Sequence, residues 1–209
     1  MIVPGAPLVF IVDDDPSVRK SLARLLRGAG YEVEAFASAG EFLARPHHDA
    51  PCCLVLDVQM PGLTGLELQE TLATADQRLS IVFITGYQDI RASVRAMKGG
   101  AVDFLTKPVD KQELLGAIER AVTKAGQTHR EDARIADIRG RIKTLTPREA
   151  EVFSLVVTGM LNKQIASDLG VSEKMVKVHR GRVMEKMRAG SLAELVRLAD
   201  EGGVIAAKA

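Results

Sequence analysis

The chain has 209 residues, with 28 Lys and Arg against 27 Asp and Glu, and 46% of its residues are hydrophobic. That length holds one large domain or two small ones, and the composition is that of a soluble globular protein, not a disordered one. No apolar run approaches the roughly 20 residues that span a bilayer. The start, Met1 to Pro7, lacks the basic residues and long apolar core of a secretory signal.

The near-zero total charge conceals an asymmetry. Through Thr123 there are 12 basic and 16 acidic residues, a net of −4; from Lys124 onward there are 16 and 11, a net of +5. An acidic front half and a basic rear half imply two domains with different partners. The two cysteines, Cys52 and Cys53, are adjacent. Neighbours in a strand point to opposite faces, so reduced thiols and a cytoplasmic setting are expected.

Residues 1 to 123 alternate strand-like runs with amphipathic segments. Leu8 to Val12 reads as a buried strand ending in Asp13-Asp14-Asp15, and Pro16 opens a helix carrying Val18, Leu22, Leu25 and Leu26. Tyr31 to Phe36 alternates with period two, and Ser38 with Glu41 forms a capping box. Cys53 to Asp57 is an apolar run ending in a carboxylate, and Pro61-Gly62 forces a turn after it. A helical pattern on Leu63, Leu66, Leu68 and Leu72 comes next, then a strand over Ser80 to Gly86. Ile90, Val94 and Met97 mark one face of the next helix; Val102 to Pro108 reads as the fifth strand, and Asp110 with Glu113 starts a helix through Val122. Five strand–helix units in succession predict a doubly wound five-stranded parallel α/β sheet.

Residues 124 to 143 are polar and charge-rich, and continue the preceding helix as a connector. Ile135, Ile138, Ile142 and Leu145 are spaced at three and four, which suits either a short dimer seam or a face docked on the next domain. From 144 to 209 the pattern predicts a small all-α domain of four short helices: Pro147 to Thr158, Asn162 to Leu169, Ser172 to Arg188, and Ser191 to Glu201. Thr146 with Glu149, and Ser191 with Glu194, form capping boxes. Asn162 to Ser172 is a short helix, a Gly170 turn and the start of a longer helix, which is the helix-turn-helix pattern.

The polar residues of the first domain lie where strands hand over to loops: Asp13 and Asp14 after strand one, Asp57 after three, Thr85 after four, Lys107 after five. Ligands of open α/β sheets bind at the carboxyl ends of the strands, so these groups should converge on one rim. Gathered carboxylates with no His or Cys suit Mg²⁺ rather than zinc. Asp57 is then either a third ligand or a nucleophile forming an aspartyl phosphate. Lys107 offers a point charge to phosphoryl oxygens, and Thr85 a hydroxyl.

Residues 8 to 123 resemble the receiver domain of two-component response regulators, a CheY/flavodoxin-like fold. The resemblance is carried by Val12-Asp13-Asp14-Asp15, Leu56-Asp57-Val58-Gln59-Met60-Pro61-Gly62, Ile84-Thr85-Gly86 and Lys107-Pro108. It implies that Asp57 accepts a phosphoryl group from a sensor histidine kinase. Mg²⁺ (or Mn²⁺) would be held by Asp13, Asp14, Asp57 and the backbone carbonyl of Gln59. Thr85 and Lys107 would contact the phosphoryl oxygens, and Phe104 matches the family's switch aromatic. Gln59 and Tyr87 lie where the family tunes the phosphoryl lifetime. Val109 is a departure, standing where an aromatic is common.

In the second domain, Lys174, Lys177, Arg180, Arg182, Lys186 and Arg188 stand against Glu173 and Glu185, a local net of +4. At helical spacing Val176, His179, Val183 and Met187 should pack inward, while Lys174, Lys177, Val178 and Gly181 face out. Arg180 and Arg182 flank that stripe at angles suited to phosphates, so the helix should enter a major groove.

Residues 144 to 209 resemble the output domain of the NarL/FixJ, or LuxR-type, regulators. The motifs are Leu145-Thr146-Pro147-Arg148-Glu149, Asn162-Lys163-Gln164-Ile165-Ala166 and Val176-Lys177-Val178-His179-Arg180. The two domains together look most like the FixJ-type subgroup. The resemblance carries base contacts to Lys177 and Val178, a DNA-facing place to Lys163, and a third contact to a position occupied here by Gly181.

The expectation is a transcription factor in which phosphorylation of Asp57 switches homodimerisation through the Asp89 to Val122 region. It would bind promoter DNA and activate transcription with RNA polymerase, with no membrane partner. A metal-dependent phosphohydrolase is the enzymatic alternative, but it needs an acid–base residue two positions after the nucleophile, where Gln59 stands. A receiver-like module that is never phosphorylated is the third reading.

Overall fold

The computed structural model describes residues 6–46, 48, 50–75, 79–86 and 90–204. It divides into two compact units, Met1–His129 and Arg130–Ala209.

In the first unit β1 (Leu8–Val12), β2 (Glu32–Phe36), β3 (Cys52–Asp57), β4 (Ser80–Thr85) and β5 (Asp103–Thr106) form one sheet in the order β2-β1-β3-β4-β5. Every pairing is parallel. Parallel neighbours require crossovers, and these are α1 (Pro16–Gly28), α2 (Ala39–Leu43), α3 (Gly65–Thr74) and α4 (Ile90–Lys98), with α5 (Lys111–Lys143) after the last strand. The doubly wound expectation therefore holds. β1, β3 and β4 are buried along their whole length because both sheet faces are covered.

The two faces build separate cores. Phe10, Leu54, Leu56 and Phe83 pack on one side with Phe42, Leu68 and Leu72. Val9, Ile11, Val55 and Val82 pack on the other with Leu26, Leu114 and Ile118. Cys52 and Cys53 are free thiols on opposite faces, as period-two geometry demands. Burial pushes both thiols up, Cys52 to about 11 and Cys53 further, so neither offers a thiolate near neutrality.

Local signals set the element ends. Asp15 caps α1, accepting the amides of Ser17 (2.7 Å) and Val18 (3.4 Å). Asp110 accepts the Gln112 and Glu113 amides at 2.7 and 3.1 Å as α5 begins. Thr64 and Glu67 form a full capping box on α3, so that helix starts later than the Leu63 pattern suggests. β5 stops at Thr106, short of the predicted Pro108, because proline has no amide to extend the ladder. The Ile90, Val94 and Met97 face of α4 is turned to solvent, at 79%, 47% and 48% exposure, while Ala92 and Ala96 pack inward.

The 124–143 stretch is indeed helical, since α5 runs unbroken for 33 residues. Its last turns belong to the second unit, where Ile138 is buried and Ile142 and Leu145 pack beside it. That unit also contains α6 (Pro147–Val157), α7 (Asn162–Leu169), α8 (Glu173–Met187) and α9 (Leu192–Glu201) around Val152, Phe153, Ile165, Val176, Val183 and Leu195. Gly170 closes α7 in the left-handed conformation (φ 64°), which lets the chain turn directly into α8, and Ser172 caps α8 through the Met175 amide.

Candidate functional site

The acidic rim forms where β1 and β3 end side by side. Val12 pairs with Leu56, so Asp13 and Asp57 emerge at the same level of the sheet. Asp13, Asp14 and Asp57 each offer a carboxylate oxygen within 4.8 Å of the others; Asp13 and Asp57 are buried and Asp14 is exposed. The third aspartate of the run, Asp15, is occupied as the α1 cap. Lys107 reaches in from the end of β5, with Nζ 2.7 Å from Asp13 Oδ2 and 2.8 Å from Asp57 Oδ2. Its backbone amide donates to the Thr85 carbonyl (2.7 Å), which ties the lysine to the end of β4. Thr85 is itself buried, one residue past the Ile84 that pairs with Asp57.

Burial pushes the Asp57 carboxyl above its ordinary value, against the opposing pull of Lys107 and of the Gln59 amide, which donates to Asp57 Oδ1 at 3.2 Å. Burial also works to lower Lys107, but its hydrogen bonds to Asp13 and Asp57 outweigh it and the ammonium is held above its usual value. Both directions are consistent. The Asp57 side chain is 7% exposed and the lysine 22%, so desolvation weighs more heavily on the carboxylate. Three carboxylates against one ammonium leave negative charge at an all-oxygen rim, a donor set that fits Mg²⁺.

Two glycines shape the loop behind Asp57. Gly62 has φ +78°, and a Cβ at Gly65 would lie 2.1 Å from the Asp57 carbonyl oxygen. The first turn of α3 thus presses on the Asp57 backbone, with the Gly65 amide donating to Val58 O at 3.0 Å. Residue order alone did not single out Gly65; its signal was a glycine opening a helix, where side chains are ordinarily preferred. Gln59 is exposed beside the rim. Phe104 is half-buried with its ring centroid 6.2 Å from that of Phe83, and Val109 packs into the second core of the sheet. Tyr87 and Asp89 lie outside the described residues.

In the second unit α8 presents the expected outward stripe. Lys174, Lys177, Val178, Gly181 and Arg182 are exposed, as is Lys163 on α7, whereas Val176, Val183 and Met187 are buried. The side chains of Lys163, Lys174, Lys177 and Arg182 make no hydrogen bond or ion pair to the described residues. A Cβ at Gly181 would meet nothing. His179 is half-buried, and its Nδ1 is buried without a hydrogen-bond partner among the described residues.

Two of the helix's cations are already engaged. Arg180 Nη1 donates to Asn162 Oδ1 at 3.1 Å. Lys186 Nζ donates to Glu149 Oε2 (2.6 Å) and to Thr144 O (3.0 Å), which removes it from the outward charge. Glu149 is buried and also accepts the Thr146 amide at 2.9 Å; the Lys186 hydrogen bond, with the Thr146 bonds, holds its carboxyl down to about 2. Its partner on α8 was not legible, because 37 residues separate the pair.

No helix among the described residues is long and apolar enough to cross a membrane. Comparison with known families matches residues 9–119 to the response regulator receiver domain and residues 143–199 to the bacterial regulatory proteins of the luxR family. Nodulation protein W of Bradyrhizobium diazoefficiens is 49% identical over 199 residues, spanning 95% of this chain and 88% of that protein. The transcriptional regulatory protein FixJ of Rhizobium meliloti is 45% identical over 197 residues, spanning 93% of this chain and 96% of that one. Among solved structures, the response regulator StyR superposes with a TM-score of 0.82 at 45% identity, covering 94% of this chain and all of that one. The strand-end carboxylates with their lysine, and the basic helix behind a tight turn, thus lie in the two matched regions, and the chain belongs to the FixJ-type response regulators, with a receiver domain and a LuxR-type DNA-binding domain.

Proposed function

We propose that this response regulator is switched by phosphorylation at Asp57, with a sensor histidine kinase as donor. The observation that carries the reading is the Asp57 carboxylate at its strand end, flanked by Asp13 and Asp14 and met by Lys107 Nζ at 2.8 Å. In the transfer, the P–N bond of the kinase phosphohistidine breaks as a P–O bond forms to Asp57, and the imidazole leaves. Such a step needs positioning and charge neutralisation more than covalent help. Asp13, Asp14, Asp57 and the Gln59 carbonyl are the groups that would hold Mg²⁺ or Mn²⁺. When bound, the ion supplies charge neutralisation for the incoming phosphoryl oxygens. Lys107 exchanges a carboxylate for the phosphoryl group, and the Thr85 hydroxyl hydrogen-bonds to it. Beyond this transfer and the later hydrolysis of the aspartyl phosphate to Asp57 and inorganic phosphate, the protein is not an enzyme.

Phosphorylation adds charge at the rim, draws in Thr85 and Lys107, and repacks Phe104 between them and the α4 side. The exposed Ile90, Val94 and Met97 on α4 support a homodimer face in the region from Asp89 to Val122. The domains are then a receiver over 1–123, a helical linker over 124–143 and an output domain over 144–209. Two output domains would bind adjacent promoter half-sites. Lys177 and Val178 meet base edges beside Gly181, while Lys163, Lys174, Arg180 and Arg182 meet phosphates. Activation with RNA polymerase in the cytoplasm completes the reading.

The test is incorporation of label from acetyl phosphate with Mg²⁺, followed by sedimentation in beryllofluoride. Asp57→Asn is expected to abolish labelling and the shift to dimer. Stoichiometric labelling of that variant would overturn the acceptor assignment.

A further inference from the structure

An asparagine at a helix start ordinarily spends its side chain on capping the unpaired amides. Asn162 does not. Leu161 occupies the cap position of α7, and the Leu161 amide is satisfied by Gln164 Oε1 at 2.8 Å. The Asn162 carboxamide is turned instead to the middle of α8, where its oxygen accepts Arg180 Nη1 at 3.1 Å, 18 residues away in sequence. Asn162 and Arg180 are half-buried, whereas Lys174, Lys177 and Arg182 on the same helix are exposed.

We infer that Asn162 is a positioning residue for DNA binding, which fixes the Arg180 guanidinium without discharging it. The inference rests on the reading that Arg180 meets a phosphate. A long side chain loses rotamer freedom when it is immobilised on a ligand, and one already held loses less. The chemistry of the holder matters as much as the hold. A carboxamide oxygen takes one of the five guanidinium donors and leaves the full positive charge and the rest of the planar fork for a phosphate. Lys186 on the same helix shows the other outcome, because its holder is the Glu149 carboxylate and its charge is cancelled. Two cations of α8 are fastened to neighbouring elements, one by a neutral acceptor and one by an anion. Only the first keeps its attraction for a polyanion.

The experiment measures binding of the full chain to a labelled mixed-sequence duplex of about three helical turns by fluorescence anisotropy, across a KCl series, with thermal melts in parallel. Arg180→Ala should flatten the slope of log K against log salt by about 0.9, one phosphate contact. Asn162→Asp should flatten it nearly as much although Arg180 is still present, and should melt no lower than the unsubstituted chain. Asn162→Ala should keep the slope and weaken binding roughly three- to ten-fold, the range expected for ordering one long side chain. In an Arg180→Ala background, Asn162→Ala should add nothing.

An unchanged slope in Asn162→Asp would overturn the inference. So would an Asn162→Ala defect of equal size with and without Arg180, since that is loosening of the fold and not positioning. Failure of Arg180→Ala to change the slope would instead remove the phosphate role of Arg180. Absence of salt-dependent binding by the unsubstituted chain would remove the DNA-binding reading itself.

Discussion

Each unit of the molecule sets a lysine against buried carboxylate, and the two arrangements have opposite consequences. In the second unit Lys186 meets one carboxylate, Glu149, which also accepts the Thr146 amide; the group is satisfied and the pair ties α8 to the start of α6. In the first unit Lys107 meets Asp13 and Asp57 while Asp14 stands exposed beside them, so negative charge is left over and open to solvent on one side. A closed pair makes structure. An unbalanced cluster leaves negative charge that a hard cation suits.

The largest effect that would break this comparison is steric. Gly65→Ala places a methyl 2.1 Å from the Asp57 carbonyl oxygen. The backbone must move, at a cost of about 3 kcal/mol, the upper end of ordinary overpacking. Urea unfolding should show the loss, together with weaker Mg²⁺ binding at the distorted rim. The two lysines should then separate. Lys186→Ala leaves the Glu149 carboxylate buried without its partner, and about 2 kcal/mol is expected; fully buried pairs lose more, but the Lys186 side chain is 34% exposed. Lys107→Ala should cost a similar amount without divalent ions, and millimolar Mg²⁺ should restore most of it. Melting temperatures of both variants with and without Mg²⁺ decide the matter; equal rescue of both would erase the distinction.

A smaller effect appears with pH. The Glu149 carboxyl is held at about 2 against an ordinary 4.5, a lowered value, so its contribution is fully present above about 4.5 and lost as pH falls toward 2. Glu149→Gln should remove that part of the acid-side loss, about 1.5 kcal/mol once screening at the partly exposed Lys186 is allowed for. Acid titrations of unfolding, followed by circular dichroism, measure it. The smallest effect is favourable: Gly181→Ala adds a methyl that meets nothing in the middle of α8 and should raise stability by about 0.8 kcal/mol in the same melts.

Much of this was readable from residue order. Strand-end carboxylates announce themselves because a buried parallel strand is a short apolar run, and the residue just beyond it lies at the rim by topology alone. The capping box at Thr146, the Ser191 cap, whose Glu194 accepts the Gly190 amide in place of the Ser191 amide, and the Gly170 turn likewise act over a few residues, so their geometry is written locally. What escaped is contact between elements distant in sequence. Lys186 counts toward a basic face until Glu149 is seen beneath it, and Arg180 looks like a freely moving phosphate ligand until Asn162 is seen beside it. The Gly65 contact escaped for the same reason, since only the packed first turn of α3 reveals what a side chain there would strike. The α4 face is a different case, since residue spacing marked the face without its direction. Its larger apolar residues point to water because alanines suffice to seat a helix closely against the sheet.

The place of β5 at the margin of the sheet has a mechanical corollary. β3, which bears Asp57, is clamped between β1 and β4 along six buried residues, while β5 has one neighbour, four residues and no fully buried position. β2, at the other margin, also has one neighbour and no fully buried position, so the stiff part of the sheet is its middle and both margins are compliant. Displacement starting at Asp57 should be resisted by β1 and β4 alike and be largest at the two outer strands.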